Sequence, residues 1–261
     1  MRAGDTSMHP AWLALEGEQR NWDLHISYFG DRPDPYGPLP DGVTLSVEKG
    51  PKAAGLQACF AGHPGLTQGY ASVMVADDDM QIITGTFSQA FDIFAQSGAL
   101  LGQVSLDRRS YFSHEVTLNR PACLYREVNF VEIMAPMFRG DFLTQFLDMF
   151  TISKTSWGLD IIMSARALKA GGKVICIDAV KMLHTRAVGA LKGNYVGVDD
   201  PRRDRDRALA AEGITLYWQR TLAGIAPDGR RIGGWRLNFP PLDAYFYALL
   251  RKGLGVKVIQ D

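Results

Sequence analysis

The sequence predicts an α/β fold built on a largely parallel sheet. Three observations carry that expectation. Short apolar, β-rich runs recur between stretches with helical spacing. A helix-like stretch at 157–172 closes on Gly171–Gly172 and passes directly into the buried-looking run "KVICIDAV" at 173–180. The residues best suited to chemistry fall just past strand ends, where open α/β sheets bind their ligands.

Taken in order, residues 22–29, "WDLHISYF", read as a strand, because apolar and polar side chains partly alternate. "GDRPDPYGPLPDG" follows and is a loop by its prolines and glycines. "VTLSV" at 43–47 is a second strand, and "EKGPKAAGLQACFAG" breaks at Gly-Pro before turning helical. Val73 to Ala76 form a third strand that runs into Asp77, Asp78 and Asp79. Phe87, Phe91 and Phe94 mark a helix over 86–97, and 99–106 is strand-like. Residues 128–137, "VNFVEIMAPM", read as an apolar strand with Glu132 embedded in it. Helices are expected over 140–150 and 157–172, and "KMLHTR" comes off the end of the strand at 173–180. Arg202–Arg207 reads as a solvated helix face of mixed charge, with an anionic contact as the alternative, and 207–221 as helical. The stripe Leu242, Tyr245, Phe246, Leu249 and Leu250 suits packing on the domain, or rest on a membrane surface.

Composition narrows the function classes. Lys plus Arg equals Asp plus Glu, 28 each, so nothing in the charge balance favours nucleic acid as a partner. Cys59, Cys123 and Cys176 are odd in number and form no CxxC pair, which argues against a disulfide framework and for a reducing compartment. There is no signal-peptide core and no run of about 18 apolar residues. The expectation is a cytoplasmic protein without a transmembrane segment, with peripheral membrane contact left open.

The triple aspartate is the most informative stretch. Adjacent carboxylates repel, and a hard divalent cation, Mn²⁺ or Mg²⁺, is one way to relieve that. If the backbone stays extended, Asp77 and Asp79 point the same way and Asp78 elsewhere. A solvated turn, with an aspartate capping the next segment, is the plain alternative. Three further residues join them. Asp160, in "WGLD" at a helix start, suits a general base, because a helix N-terminus favours the ionised carboxylate. Glu132 is a carboxylate in an apolar run and needs a partner or a task. His184, past a late strand, suits a metal as neutral imidazole or serves structurally.

With these residues in place, the sequence resembles the GT-A class of nucleotide-sugar-dependent glycosyltransferases. More narrowly, "FVEIMAPMF" at 130–138, "WGLD" at 157–160 and "CIDAVKMLHTR" at 176–186 resemble the DUF707 family, a group with a GT-A-like core. The resemblance covers roughly residues 20 to 190. It implies a Rossmann-type three-layer sandwich with a mainly parallel central sheet. Residues 1–190 would form the nucleotide-sugar and metal-binding core, and 191–261 an extension packed on it.

The resemblance also implies roles. Asp77, Asp79 and His184 would hold Mn²⁺ or Mg²⁺. Asp77 and Asp78, with Lys49 and Lys52 after the second strand, would contact the donor. Asp160 would deprotonate the acceptor hydroxyl, and Glu132 would orient the acceptor or support Asp160. His114 and Arg120 would touch acceptor or phosphate, or serve structurally. The Gly-rich "GALKGNYVG" would be a mobile lid. The implied partners are a nucleoside-diphosphate sugar and a glycan or other hydroxyl acceptor. Many members that act on lipid or secreted acceptors carry a membrane anchor, which this sequence lacks; that implies an acceptor in the cytosol or on the inner membrane face. A metal-dependent phosphohydrolase and a non-catalytic nucleotide- or sugar-binding protein are the competing readings.

Overall fold

The computed structural model describes residues 1–187 and 200–239. The expected lid at 189–197 and the apolar stripe after Phe239 lie outside the described residues.

The chain opens with β1 (Arg2–Ala3), α1 (His9–Glu16), β2 (Leu24–Tyr28), β3 (Val43–Val47) and α2 (Lys52–Gly62). β4 (Ser72–Met74), β5 (Met80–Thr84), α3 (Phe87–Ser97) and β6 (Leu101–Leu106) follow. Next come β7 (Tyr125–Val128), β8 (Pro136–Arg139), α4 (Gly140–Gln145), α5 (Leu159–Lys169) and β9 (Val174–His184). α6 (Pro201–Ala211), β10 (Thr221–Ile225), β11 (Arg231–Gly233) and α7 (Gly234–Leu237) complete it.

β1, β2 and β3 form a small parallel sheet, and the larger sheet has the order β11-β10-β7-β9-β6-β8-β4, with β5 paired to β9. A parallel bridge between Arg2 and Asp77, with the Arg2 amide donating to the Ala76 carbonyl at 3.0 Å, ties the two sheets together. The expectation of a mainly parallel sheet is met only in part. Among the described residues, β6–β9 is the one parallel ladder of the larger sheet, and β8 runs antiparallel between β4 and β6. The sheet is therefore mixed. Its central strands are apolar on both faces: β6 is buried along its whole length, between a cluster with α2 and α5 and another with α1 and α3.

Four sequence expectations change in physical detail. Residues 128–137 are not one strand. β7 ends at Val128, β8 begins at Pro136, and Glu132 sits in the connection. Pro136 lacks an amide proton and fits the first position of a strand. His184 does not come after its strand but is its last residue. The helix expected over 207–221 lies earlier, at Pro201–Ala211, where Asp200 caps the amides of Arg202 and Arg203. Asp204 in the charged run is fully buried. It accepts from Ser153 Oγ (2.9 Å) and from both the amide and hydroxyl of Thr155 (2.8 Å each), anchoring the loop before α5.

The core also holds a buried ion pair. Arg126 on β7 and Asp178 on β9 are both inaccessible, and Arg126 Nε donates to Asp178 Oδ2 at 2.7 Å. Arg126 also donates to the carbonyls of Val116 and Leu118 and to Thr221 Oγ1, so most of its donors are satisfied. Removing one partner strands the other charge. Arg126→Met is expected to lower unfolding free energy by about 3–5 kcal/mol in urea titration. A loss under about 1 kcal/mol would contradict the pair's role.

Candidate active site

The three aspartates part company as soon as the backbone turns. Asp77 is still in the β-bridge to Arg2, but Asp78 and Asp79 lie in the turn before β5. Strand alternation therefore does not apply to them, and each carboxylate finds its own counterpart. Asp77 Oδ1 is 2.7 Å from Lys52 Nζ, at the first residue of α2. Asp78 is buried; it accepts from the Gly4 amide at 2.8 Å and from Arg186 Nη1 at 3.1 Å. Burial first, then the neighbouring Asp77 and Asp79 charges, push its pKa up against Gly4 and Arg186. Asp79 Oδ2 faces His184 Nε2 at 3.2 Å, with Arg186 Nε at 3.9 Å.

The β5–β9 pairing fixes that last contact. Met80 is in register with His184, and the Thr185 amide and hydroxyl donate to the Asp79 carbonyl at 3.1 and 2.9 Å. His184 Nδ1 lies 2.6 Å from the Tyr111 carbonyl. A carbonyl can only accept, so Nδ1 carries the proton and Nε2 turns its lone pair toward Asp79. An imidazole lone pair facing a carboxylate oxygen needs a proton or a cation between them. Without a metal a proton serves. Burial opposes the charge on His184, but the Asp79 hydrogen bond and charge outweigh it and raise its pKa. Burial likewise acts to raise Asp79, but His184 and Arg186 prevail and hold its carboxyl below the ordinary value.

Glu132 reaches the same region from the β7–β8 connection. That connection is held on several sides: the Glu132 amide donates to Gln103 Oε1, the Val131 amide to Ser164 Oγ (3.1 Å), and Lys52 Nζ to the Ile133 carbonyl (2.6 Å). Burial is the main cause of a raised Glu132 pKa; the fields of His114 and His184 lower it, and that of Asp160 raises it further. Asp160 lies in the first turn of α5, and its Oδ1 accepts from the Ile161 amide at 2.8 Å. Its charge is also felt by Tyr217, whose pKa is pushed up to about 12 by burial first and Asp160 second.

The turn into α5 is strained. Ser156 has φ of 68° and Gly158 has φ of 86°. The second suits glycine; the first is costly for serine. Among the described residues, the buried side-chain polar atoms without a hydrogen-bond partner are Asp79 Oδ1, Glu132 Oε2, Ser156 Oγ and Trp22 Nε1. Three of those four belong to the segments that carry Asp79, Glu132 and Asp160. A buried acceptor left alone costs free energy unless something outside the chain completes it.

Comparison with solved structures follows the same line. The chain is similar to a crystal structure of GalNAc-T7 with UDP, GalNAc and Mn²⁺, at 10% identity and a TM-score of 0.51, covering 72% of this chain and 41% of that one. The likeness is one of fold. The chain spans about two fifths of the GalNAc-T7 chain's length. A197 from STIV also matches, at 12% identity and a TM-score of 0.36, over 74% of this chain and 80% of that one. No protein-family model matches the chain, and no curated protein does.

Part of the donor set that the sequence suggested for a divalent cation has suitable chemistry. Asp79 offers a buried, unpartnered oxygen and His184 a correctly oriented nitrogen. Asp77 is engaged by Lys52, and among the described residues Asp77, Asp79 and His184 do not form a three-ligand cluster. Lys52 stands beside Asp77. Lys49 is elsewhere, exposed, with its ammonium on the Gly30 carbonyl and on Asp31 Oδ1. Arg120 is directed to the carbonyls of Leu118, Asn119 and Leu237, and His114 Nδ1 to Gln219 Oε1 at 2.7 Å. Arg186 is the residue that the sequence reading missed. Its signal was available: a cation two residues past His184, where three crowded carboxylates need one. Among the described residues no helix is long and apolar enough to cross a membrane.

The burial of the Glu132 carboxyl has a consequence for stability. A carboxyl whose pKa rises on folding costs stability once the pH exceeds its unfolded value, about 4.3. Glu132→Gln is expected to raise the urea midpoint at about pH 7, with the gain shrinking toward about pH 4. A lower midpoint at neutral pH would contradict burial as the dominant influence on this group.

Proposed function

We propose that this protein is a metal-dependent glycosyltransferase that moves a sugar from a nucleoside-diphosphate donor to a hydroxyl acceptor. The observation that carries the reading is the Asp79–His184 contact at 3.2 Å, with a buried, unpartnered oxygen on each of Asp79 and Glu132, in a fold similar to that of GalNAc-T7. A uridine nucleotide is the first donor to test, because the GalNAc-T7 structure holds UDP. The motifs at 130–138, 157–160 and 176–186 support placement beside the DUF707 family.

Asp79 and His184 would hold the cation, Mn²⁺ or Mg²⁺. When bound, it would neutralise negative charge on the departing diphosphate. Lys52 presents a second positive charge beside Asp77, on the donor side of the site. Asp160 would accept the acceptor's hydroxyl proton, from a position where the α5 N-terminus favours its ionised form. Glu132 would receive a hydrogen bond from acceptor or donor sugar at its unpartnered oxygen. Asp78 is read as structural: it draws the Gly4 backbone and Arg186 together. Acceptance of donor and acceptor in the cytosol follows from the sequence reading and is part of the proposal.

A metal-dependent phosphohydrolase with two metals has less support. Among the described residues the three-donor group sits elsewhere, on His25, Cys59 and His63.

With UDP-sugars and Mn²⁺, Asp160→Asn is expected to cut transfer by roughly 10²–10⁴-fold while nucleotide binding persists. Asp79→Ala and His184→Ala are expected to weaken Mn²⁺-dependent nucleotide binding at least about tenfold in calorimetry. Equal turnover by Asp160→Asn and the wild type would remove the base assignment.

A further inference from the structure

The His25, Cys59 and His63 side chains gather outside the site described above. Their donor atoms all lie within 4.8 Å of one another. His25 projects from β2, and Cys59 and His63 come from the last turn and C-cap of α2, four residues apart. That spacing stacks the two α2 residues on one face. Lys52, the partner of Asp77, begins the opposite end of α2, about 10 Å of helix from Cys59 and about 16 Å from His63.

The chemistry of the three is already arranged for a soft or borderline cation. His63 Nδ1 lies 3.1 Å from the Cys59 carbonyl, which can only accept. The proton is therefore on Nδ1, which leaves the Nε2 lone pair as the donor for a metal. His25 bonds Thr44 Oγ1 and Ser46 Oγ at 2.8 Å each. Both ring nitrogens are therefore hydrogen-bonded, and a metal would take the lone pair of one of them by displacing the hydroxyl that donates to it. Burial first, with nearby positive charge, lowers the His25 pKa to about 4, so it is neutral at physiological pH. Cys59 is buried and its thiol is pushed up by burial, so no thiolate forms there without a cation to stabilise it. The His25 and His63 rings are already 5.0 Å apart.

We propose that His25, Cys59 and His63 form a second metal site, for a borderline-soft divalent ion such as Zn²⁺. Binding replaces the Cys59 S–H bond with a sulfur–metal bond, and the thiol proton leaves to solvent. Tetrahedral zinc needs its nitrogen and sulfur donors roughly 3.3–3.7 Å apart, so a closure of about 1 Å suffices. His63 is exposed and supplies the entry side, and three protein ligands leave the fourth position to water. The ion would clamp β2 to the end of α2, independently of any cation at Asp79 and His184.

The test uses the reduced, metal-free full chain titrated with Co²⁺ as an optical stand-in for Zn²⁺. A thiolate-to-cobalt charge-transfer band is expected to saturate at about one ion per chain and to vanish on adding Zn²⁺. Cys59→Ser should abolish the band. His63→Ala alters an exposed residue, keeps the fold by circular dichroism, and should weaken Co²⁺ binding at least about tenfold. Asp79→Ala should leave the band unchanged. Absence of the band in the wild type, its persistence in Cys59→Ser, or its loss in Asp79→Ala would each overturn the proposal.

Discussion

The antiparallel pairing of β5 with the end of β9 is the constraint on which the rest depends. It sets Met80 opposite His184 and carries Asp79 to the His184 imidazole through backbone hydrogen bonds rather than side-chain choice. The same turn separates three adjacent carboxylates that an extended strand would leave crowded. Each then meets a different partner: Lys52 for Asp77, the Gly4 amide and Arg186 for Asp78, His184 for Asp79. Repulsion between like charges is thus relieved by chain geometry, not by one shared ion. This frees one Asp79 oxygen and leaves it buried without a partner.

Local stability is given up in a consistent place. Asp79 and Glu132 each keep an unpartnered oxygen, and the Ser156 backbone is held in a left-handed conformation just ahead of α5. Strain and unpaired acceptors persist only where surrounding structure over-determines them. Here that structure is visible. Asp204 clamps the loop at Ser153 and Thr155, and Gln103, Ser164 and Lys52 hold the Glu132 connection. The supporting residues are ordinary; their convergence on the segments that carry unpartnered groups is what points to a ligand.

Much of the fold was legible in the sequence. β3 at 43–47, the helix α3 and the buried strand expected at 173–180, which the structure extends to His184, follow from apolar runs, helical spacing and glycine stops. The mixed sheet was not, because strand direction depends on pairings between residues tens of positions apart and leaves no local periodicity. Glu132 looked embedded in a strand because its neighbours are apolar; they are apolar since the connection itself is buried. In the site, Asp79, Asp160, Glu132 and His184 were readable as chemistry-bearing types at strand and helix ends. The division of labour among Asp77, Asp78 and Asp79 was not. It turns on two backbone positions leaving the extended conformation, and on partners as distant in sequence as Gly4 and Arg186. Asp204 gave no signal at all: in a run of alternating charges, the one buried aspartate looks like its neighbours.

In the proposed site a cation would sit on Asp79 and His184 while Asp77 stays with Lys52. Anomalous diffraction at the manganese edge, from crystals grown with Mn²⁺ and UDP, tests it most directly. The account predicts a single strong peak in contact with Asp79 Oδ1 and His184 Nε2, with the Lys52–Asp77 pair intact. A peak bridging Asp77 instead, with Lys52 displaced, or no peak near His184 at all, would contradict it.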